Sequence, residues 1–299
     1  MQLKRLRKRG NKLMASIRIL RRRIKSAKNI AQITKAMELV AASKMKKAQA
    51  AAVSGKLYAQ KIYDMVIRSS AGVDMSIHPY LTKPQKLTGR RLVILISTNK
   101  GLCGGLNSNL FRYYVKTFPT LSAIDTITIG KKGAETVVRL GGKLLADFSI
   151  PPFINGVPAL TELFTSEYLS GHYDGVDIIS NEFKSALVQH PRIKTLLPLS
   201  ISSIDTSESK IPIGQESLIE PSKKEVFDAL LPHYIENQLR DAILQSEASE
   251  HSARMVAMRN ATDNALALID ELTLIYNKER QAKITYEIAD LVTARLASE

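Results

Sequence analysis

Residues 16–53 read SIRILRRRIKSAKNIAQITKAMELVAASKMKKAQAAAV, with no proline and no glycine before Gly55. Apolar side chains recur at Ile17, Leu20, Ile24 and Ala27 and then at Ile30, Ile33, Met37 and Val40, in steps of three or four with one local phase shift. This is the spacing of a coiled-coil helix, so the segment needs a second helix against its apolar seam. The other face carries Arg18, Arg21, Arg22, Arg23, Lys25, Lys28, Lys35, Lys44, Lys46 and Lys47, against the single acid Glu38.

The second helix is expected at the far end of the chain. Residues 233–298 contain neither Gly nor Pro and carry apolar positions at Leu239, Ile243, Ala253, Val256, Leu268, Leu272, Ile275, Ile288 and Leu291. The middle of that seam is weak, with Ser246, Ser249, Asn260, Ala261 and Asn264 in place of Leu or Phe. Small residues there allow two helices to approach closely.

Charge follows the same division. Of the formal net charge of +15 over 299 residues, residues 1–56 hold 17 Lys and Arg against one acid, and the remainder is close to neutral. Residues 1–15 lie outside the seam and are read as a disordered basic arm, with Met14-Ala15 as the working start and a basic presequence as the alternative. One cysteine, Cys103, excludes an internal disulfide and a cysteine-based zinc cluster, and fits a reducing compartment. No apolar run is long enough to span a bilayer, so direct membrane insertion is not expected.

Between the long helices the pattern changes. Leu92 to Ile96 are five consecutive apolar residues, as in a strand covered on both faces of a parallel sheet. A helix over 107–118 follows, then a strand over 124–129, a helix over 132–140, a strand over 143–150, a helix over 159–169, and strands over 175–183 and 193–200. This alternation predicts an α/β layered domain. A polar linker over Ser202 to Glu220 then leads to Pro221-Ser222 with Glu225, a helix N-terminal signature, and Pro232 is expected to break off a short helix before the long one.

The stretch from Thr98 to Asn107, TNKGLCGGLN, places a Gly-rich turn between the first strand and a helix. It lacks both the GxGxxG and the GK[ST] spacing, so it is read as a tight turn without a phosphate. Cys103 has no His in its segment, and the five histidines show no metal-ligand spacing. No catalytic, cofactor-binding or metal-ligating residue is assigned.

Three blocks carry a resemblance: IAQITKAMELVAASKMKKAQ over 30–49, KGLCGGLN over 100–107, and ASEHSARMVAMRNATDNALALIDELTLIYNKERQAKITYE over 248–287. In these, and in their order along the chain, the sequence resembles the gamma subunit of bacterial-type rotary F-type ATP synthases. The resemblance implies an α/β protein with a long antiparallel coiled coil, in which the N- and C-terminal helices (16–72 and 221–299) form a shaft and a central domain (73–220) holds a parallel-type sheet layered with helices. It implies a non-catalytic, peripheral central-stalk rotor on the cytoplasmic face of the bacterial inner membrane, coupling proton flow to ATP synthesis or hydrolysis and regulating the ATPase. Its partners would be the alpha and beta subunits of the ring, epsilon, the membrane c-ring and, in the assembled complex, delta.

By the same resemblance Met37, Lys44, Lys46, Lys47, Arg254, Arg280, Gln281, Thr285 and Glu287 match positions that face partner subunits. Two departures stand out, Asn99 where the family usually has Asp and Tyr286 where it commonly has Gln; the first puts in doubt an Asp-dependent cap at the Gly-rich turn. The rival reading is a basic coiled-coil protein that binds nucleic acid, which the absence of aromatic residues before Tyr58 and the need for a helix partner both disfavour.

Overall fold

A computed structural model of the chain describes residues 2–70, 78–82, 84, 87–199 and 220–296, with side chains described from residue 17 onward except at 56, 57, 70 and 296. Two long helices, α1 (Gln2–Ser70) and α5 (Lys223–Leu296), flank an α/β domain. That domain holds β1 (Arg91–Ile96), α2 (Leu106–Thr117), β2 (Ile124–Ile129), α3 (Lys131–Arg139), β3 (Lys143–Asp147), α4 (Val157–Leu169), β4 (Val176–Phe183) and β5 (Gln189–Leu197). The chain divides into two compact units, one of residues 1–40 with 255–299 and one of residues 41–254.

In the first unit α1 and α5 run antiparallel. Arg21 Nη2 donates to the Tyr276 hydroxyl at 2.9 Å, the hydroxyls of Thr34 and Thr262 lie 2.7 Å apart, and Arg259 Nε donates to Glu38 at 3.2 Å. Each advance along α1 is therefore matched by a nearly equal retreat along α5. The α1 side of the seam is formed by Leu20, Ala27, Ala31 and Glu38, all buried, with Ile24 and Thr34 half-buried between them. The α5 side is Met258, Thr262, Ala265 and Leu272, with Ile269 and Tyr276 half-buried.

This corrects the expected phase. The heptad steps run through Ile17, Leu20, Ile24, Ala27, Ala31, Thr34 and Glu38 without a shift, and Ile30, Ile33 and Val40 are 50%, 59% and 57% exposed. On α5, Leu268, Ile275, Ile288 and Leu291 are exposed as well, and so are Asn260 and Asn264. The seam selects small residues, which bring the helix axes close, and its polar members satisfy one another across it. Ile30, Ile33 and Val40 are left outside, while Leu20, Met258 and Leu272 remain within the seam.

In the second unit the strand order is β3-β2-β1-β4-β5. β1 to β4 are parallel neighbours and β5 is antiparallel to β4, so the sheet is mixed where a parallel one was expected. The reason is the short 184–188 connection, which makes a hairpin and leaves no room for a crossover helix. One face buries Leu92, Ile94 and Ile96 against α4 (Leu160, Phe164) and α5 (Ile235, Leu239, Ile243). The other buries Val93, Leu95 and Ile179 against Leu110 and Tyr114 of α2 and Val137 of α3. Burial on both faces accounts for the unbroken apolar run of β1.

Three expected boundaries fare differently. The backbone is helical from Gln2; the stretch over 2–15 holds no proline, and its Leu, Lys and Arg are good helix formers. Pro232 lies inside α5 without ending it. Phe227, Leu231 and Ile235 around it are fully buried, and that packing offsets the one backbone hydrogen bond a proline removes. The expected linker over Ser202 to Glu220 falls outside the described residues except for Glu220. Ser222 does cap α5, accepting from the Glu225 amide at 3.2 Å.

Candidate functional site

In an open sheet of this order, a ligand is taken in the crevice at the carboxyl ends of the strands where the winding reverses, here between β1 and β4. The Gly-rich turn after β1 forms one wall of that crevice. The chain's own α5 lies against it. Arg254 Nη2 donates to the carbonyls of Lys100 at 3.2 Å and Gly101 at 3.3 Å, and is held by Glu250 at 2.7 Å. Ser249 Oγ donates to the Asn181 carbonyl at 3.2 Å and Ser252 Oγ to the Ala186 carbonyl at 2.7 Å, both serines being fully buried.

The turn thus presents carbonyl oxygens to a cation, where a phosphate site would present amide hydrogens to an anion. Gly105 stands at the start of α2 with no side-chain cap. Asn107 Nδ2 donates to Thr98 Oγ1 at 2.7 Å and ties the two ends of the turn. Cys103 is buried, and burial pushes its thiol pKa up, so it is a packed residue and not an activated nucleophile. At the tip, Leu102 takes a left-handed φ of 62° and is 62% exposed.

Asn99 caps a helix other than the one that follows its own turn. Its Oδ1 accepts from the Lys131 amide at 2.9 Å, at the start of α3, while its Nδ2 donates to the Ser149 carbonyl at 2.9 Å. Gly130, just before α3, has φ 102°, and a Cβ there would stand 2.3 Å from the Ser97 carbonyl oxygen, so only glycine fits. Arg254 is paired with Glu250 and has His251 and Glu247 in the same region of α5. Burial, then Arg254 and Lys44, push the His251 pKa down to about 4, so its ring is neutral at neutral pH. Burial and the neighbouring Glu250 push Glu247 up, with Lys44 acting against them.

The residues assigned to partner contacts are divided between the two units. Met37 is half-buried beside the seam, and Lys44, Lys46 and Lys47 are exposed on α1. Arg280, Gln281, Thr285 and Glu287 are exposed on α5, where the Thr285 hydroxyl donates to the Gln281 carbonyl at 3.1 Å and Glu287 pairs with Lys283 at 3.3 Å. Arg254 differs from the rest, because its guanidinium is committed to the Gly-rich turn and to Glu250. Ile30, Ile33 and Val40, expected in the seam, are exposed together with Leu39 on the helix that carries the exposed cations. Among the described residues no group of three or more His, Cys, Asp or Glu is placed to hold a metal, and no helix is long and apolar enough to cross a membrane.

The ATP synthase family model matches residues 16–297. An ATP synthase gamma chain of Opitutus terrae is 44% identical over 297 residues, covering 95% of this chain and 99% of that one. The chain belongs to the ATP synthase gamma-chain family. Gamma chains of Herpetosiphon aurantiacus and Coxiella burnetii are 43% and 40% identical, over 95% and 96% of this chain. The gamma-chain fold recurs in two solved structures. One is a chain of the Euglena gracilis mitochondrial ATP synthase described as OSCP/F1/c-ring, with a TM-score of 0.65 and 19% identity over 95% of each chain. The other is a chain of the Tetrahymena thermophila central stalk and c-ring, with a TM-score of 0.56 and 24% identity over 77% of this chain and 99% of that one.

Proposed function

We propose that this gamma chain is the non-catalytic central-stalk rotor of a bacterial proton-translocating ATP synthase, turning inside a ring of alpha and beta subunits and so coupling proton flow to ATP synthesis or hydrolysis and regulating the ATPase. Its further partners are epsilon, the membrane c-ring and, in the assembled complex, delta. It sits peripherally on the cytoplasmic face of the inner membrane and is held there by those partners.

One observation carries the reading. The coil keeps Ala, Thr and a paired Glu inside and turns Ile30, Ile33, Leu39, Val40, Leu266 and Leu268 outward, beside exposed Lys and Arg. A helix pair with that outer face calls for a sleeve that is apolar in places and acidic in others. Spread cations bind such a sleeve with little dependence on angle, which favours turning over locking. Nucleic acid is a poorer occupant, because neutralising phosphates has no use for the interleaved isoleucines.

The test is reconstitution of the chain with alpha and beta subunits from a bacterial ATP synthase. It is expected to join them at one copy per three of each and to restore coupled proton uptake when epsilon, delta and the membrane sector are added. A ring that assembles and couples equally well without the chain would overturn the proposal.

A further inference from the structure

Three residues on one short run of α5 grip the end of β4, the β4–β5 hairpin and the turn after β1. With successive positions about 100° apart around a helix, Ser249 and Ser252 point to one side and Arg254 to another. On the serine side, the hydroxyls hold the carbonyls of Asn181 at the end of β4 and Ala186 in the β4–β5 hairpin. On the other, Arg254 holds the carbonyls of Lys100 and Gly101 in the turn after β1. Ser246 is buried in the same row, so a stripe of serines lets α5 lie close to the sheet's edge. The helix fills the crevice in which related sheets take a ligand, using hydrogen bonds as a ligand would.

We propose that Ser249 and Ser252, with Arg254, form the joint that makes the sheet of the α/β domain and the part of helix α5 up to residue 254 turn as one body. The assignment rests on the rotor reading. Apolar packing alone resists separation but permits sliding, since it is non-directional. Directed bonds to β4, to the hairpin and to the β1 turn resist sliding and rotation of the helix against the sheet. Ser249 and Ser252 are positioning residues: they act through the carbonyls they hold, keeping torque on the domain from being lost as slip against the helix.

The test is Ser249→Ala with Ser252→Ala in the reconstituted membrane complex, reading ATP hydrolysis, ATP-driven proton uptake and amide hydrogen exchange over residues 181–188, whose carbonyls the serines hold. Loss of two hydrogen bonds is expected to raise exchange in this segment about 5- to 30-fold. Protons moved per ATP hydrolysed should fall severalfold while hydrolysis persists. An assembled complex with an unchanged ratio overturns the joint. A purely structural role would lower assembly and hydrolysis together and leave the ratio intact, which also overturns it. If the double variant does not assemble, Ser249→Ala alone, which gives up only the longer bond, must show the same drop in ratio, and its absence counts against the proposal. Failure of the rotor reading is separate, because the unsubstituted chain would then support no proton uptake at all.

Discussion

Glu38 of α1 accepts a hydrogen bond from Arg259 Nε of α5 at 3.2 Å inside the coil, and a second from Lys35 Nζ at 3.0 Å, with only 4% of the residue exposed. It is the one acid among the first 56 residues, and it sits at the seam. A carboxylate there tolerates burial only because two cations satisfy it.

The hydrogen bond from Lys35 and, after the opposing effect of burial, that from Arg259 hold the Glu38 carboxyl below its ordinary value of 4.5. A depressed carboxylate stabilises the fold above its unfolded pKa and loses that contribution as pH falls through the folded value. Glu38→Gln should therefore cost about 1 kcal/mol or less at neutral pH, since both cations are largely exposed. Melting of the helical signal in wild type and variant should converge below about pH 4.5. A gap that widens on acidification would contradict the pairing.

The phase of the seam makes an opposite pair of predictions for neighbouring residues. Ile33→Gln should leave melting of the isolated chain nearly unchanged, because the side chain is 59% exposed. Ala31→Leu should destabilise by about 1–3 kcal/mol by forcing the helices apart. Circular dichroism melts of the two variants decide; the reverse order would restore the phase shift expected from the sequence.

Periodicity could not settle that phase. Both Ile30-Ile33 and Ala31-Thr34 step by three, and a helix apolar on two faces offers two seams; bulk pointed to the wrong one. Where only one face or one environment was possible the sequence was decisive: Leu92 to Ile96 had to be a doubly covered strand, and Ile124–Ile129 has the bounds expected of it. The direction of β5 depended on a five-residue connection whose hairpin geometry carries no strong composition signal. Resemblance marked Arg254 as partner-facing, and its internal bonds were not legible, because its acceptors, Lys100 and Gly101, lie 153 or more positions away and are backbone carbonyls, which every residue has.

Asn99 uses both ends of its amide. Asp at this position keeps the acceptor for the Lys131 amide but sets a carboxylate oxygen against the Ser149 carbonyl. Asn99→Asp should cost about 1–2 kcal/mol, and Asn99→Ala a similar amount through loss of the α3 cap. Thermal melting followed through the α/β domain checks both; an Asp variant more stable than wild type would show that the bond to Ser149 contributes nothing.

Arg280 and Gln281 are both exposed on α5 and side by side, so they point about 100° apart. Replacing both by Ala should leave helicity and melting of the isolated chain nearly unchanged and lower the ATPase rate of the reconstituted ring complex severalfold. A variant that unfolds alone would make the pair structural, and full turnover with full coupling would remove its assigned role.

The most direct measurement is of motion. A probe attached through Lys116→Cys, an exposed position on α2, in a surface-held alpha-beta-gamma complex should rotate in one direction when ATP is supplied and stop when it is withdrawn. Sustained ATP hydrolysis by complexes whose probe stays still would contradict the account.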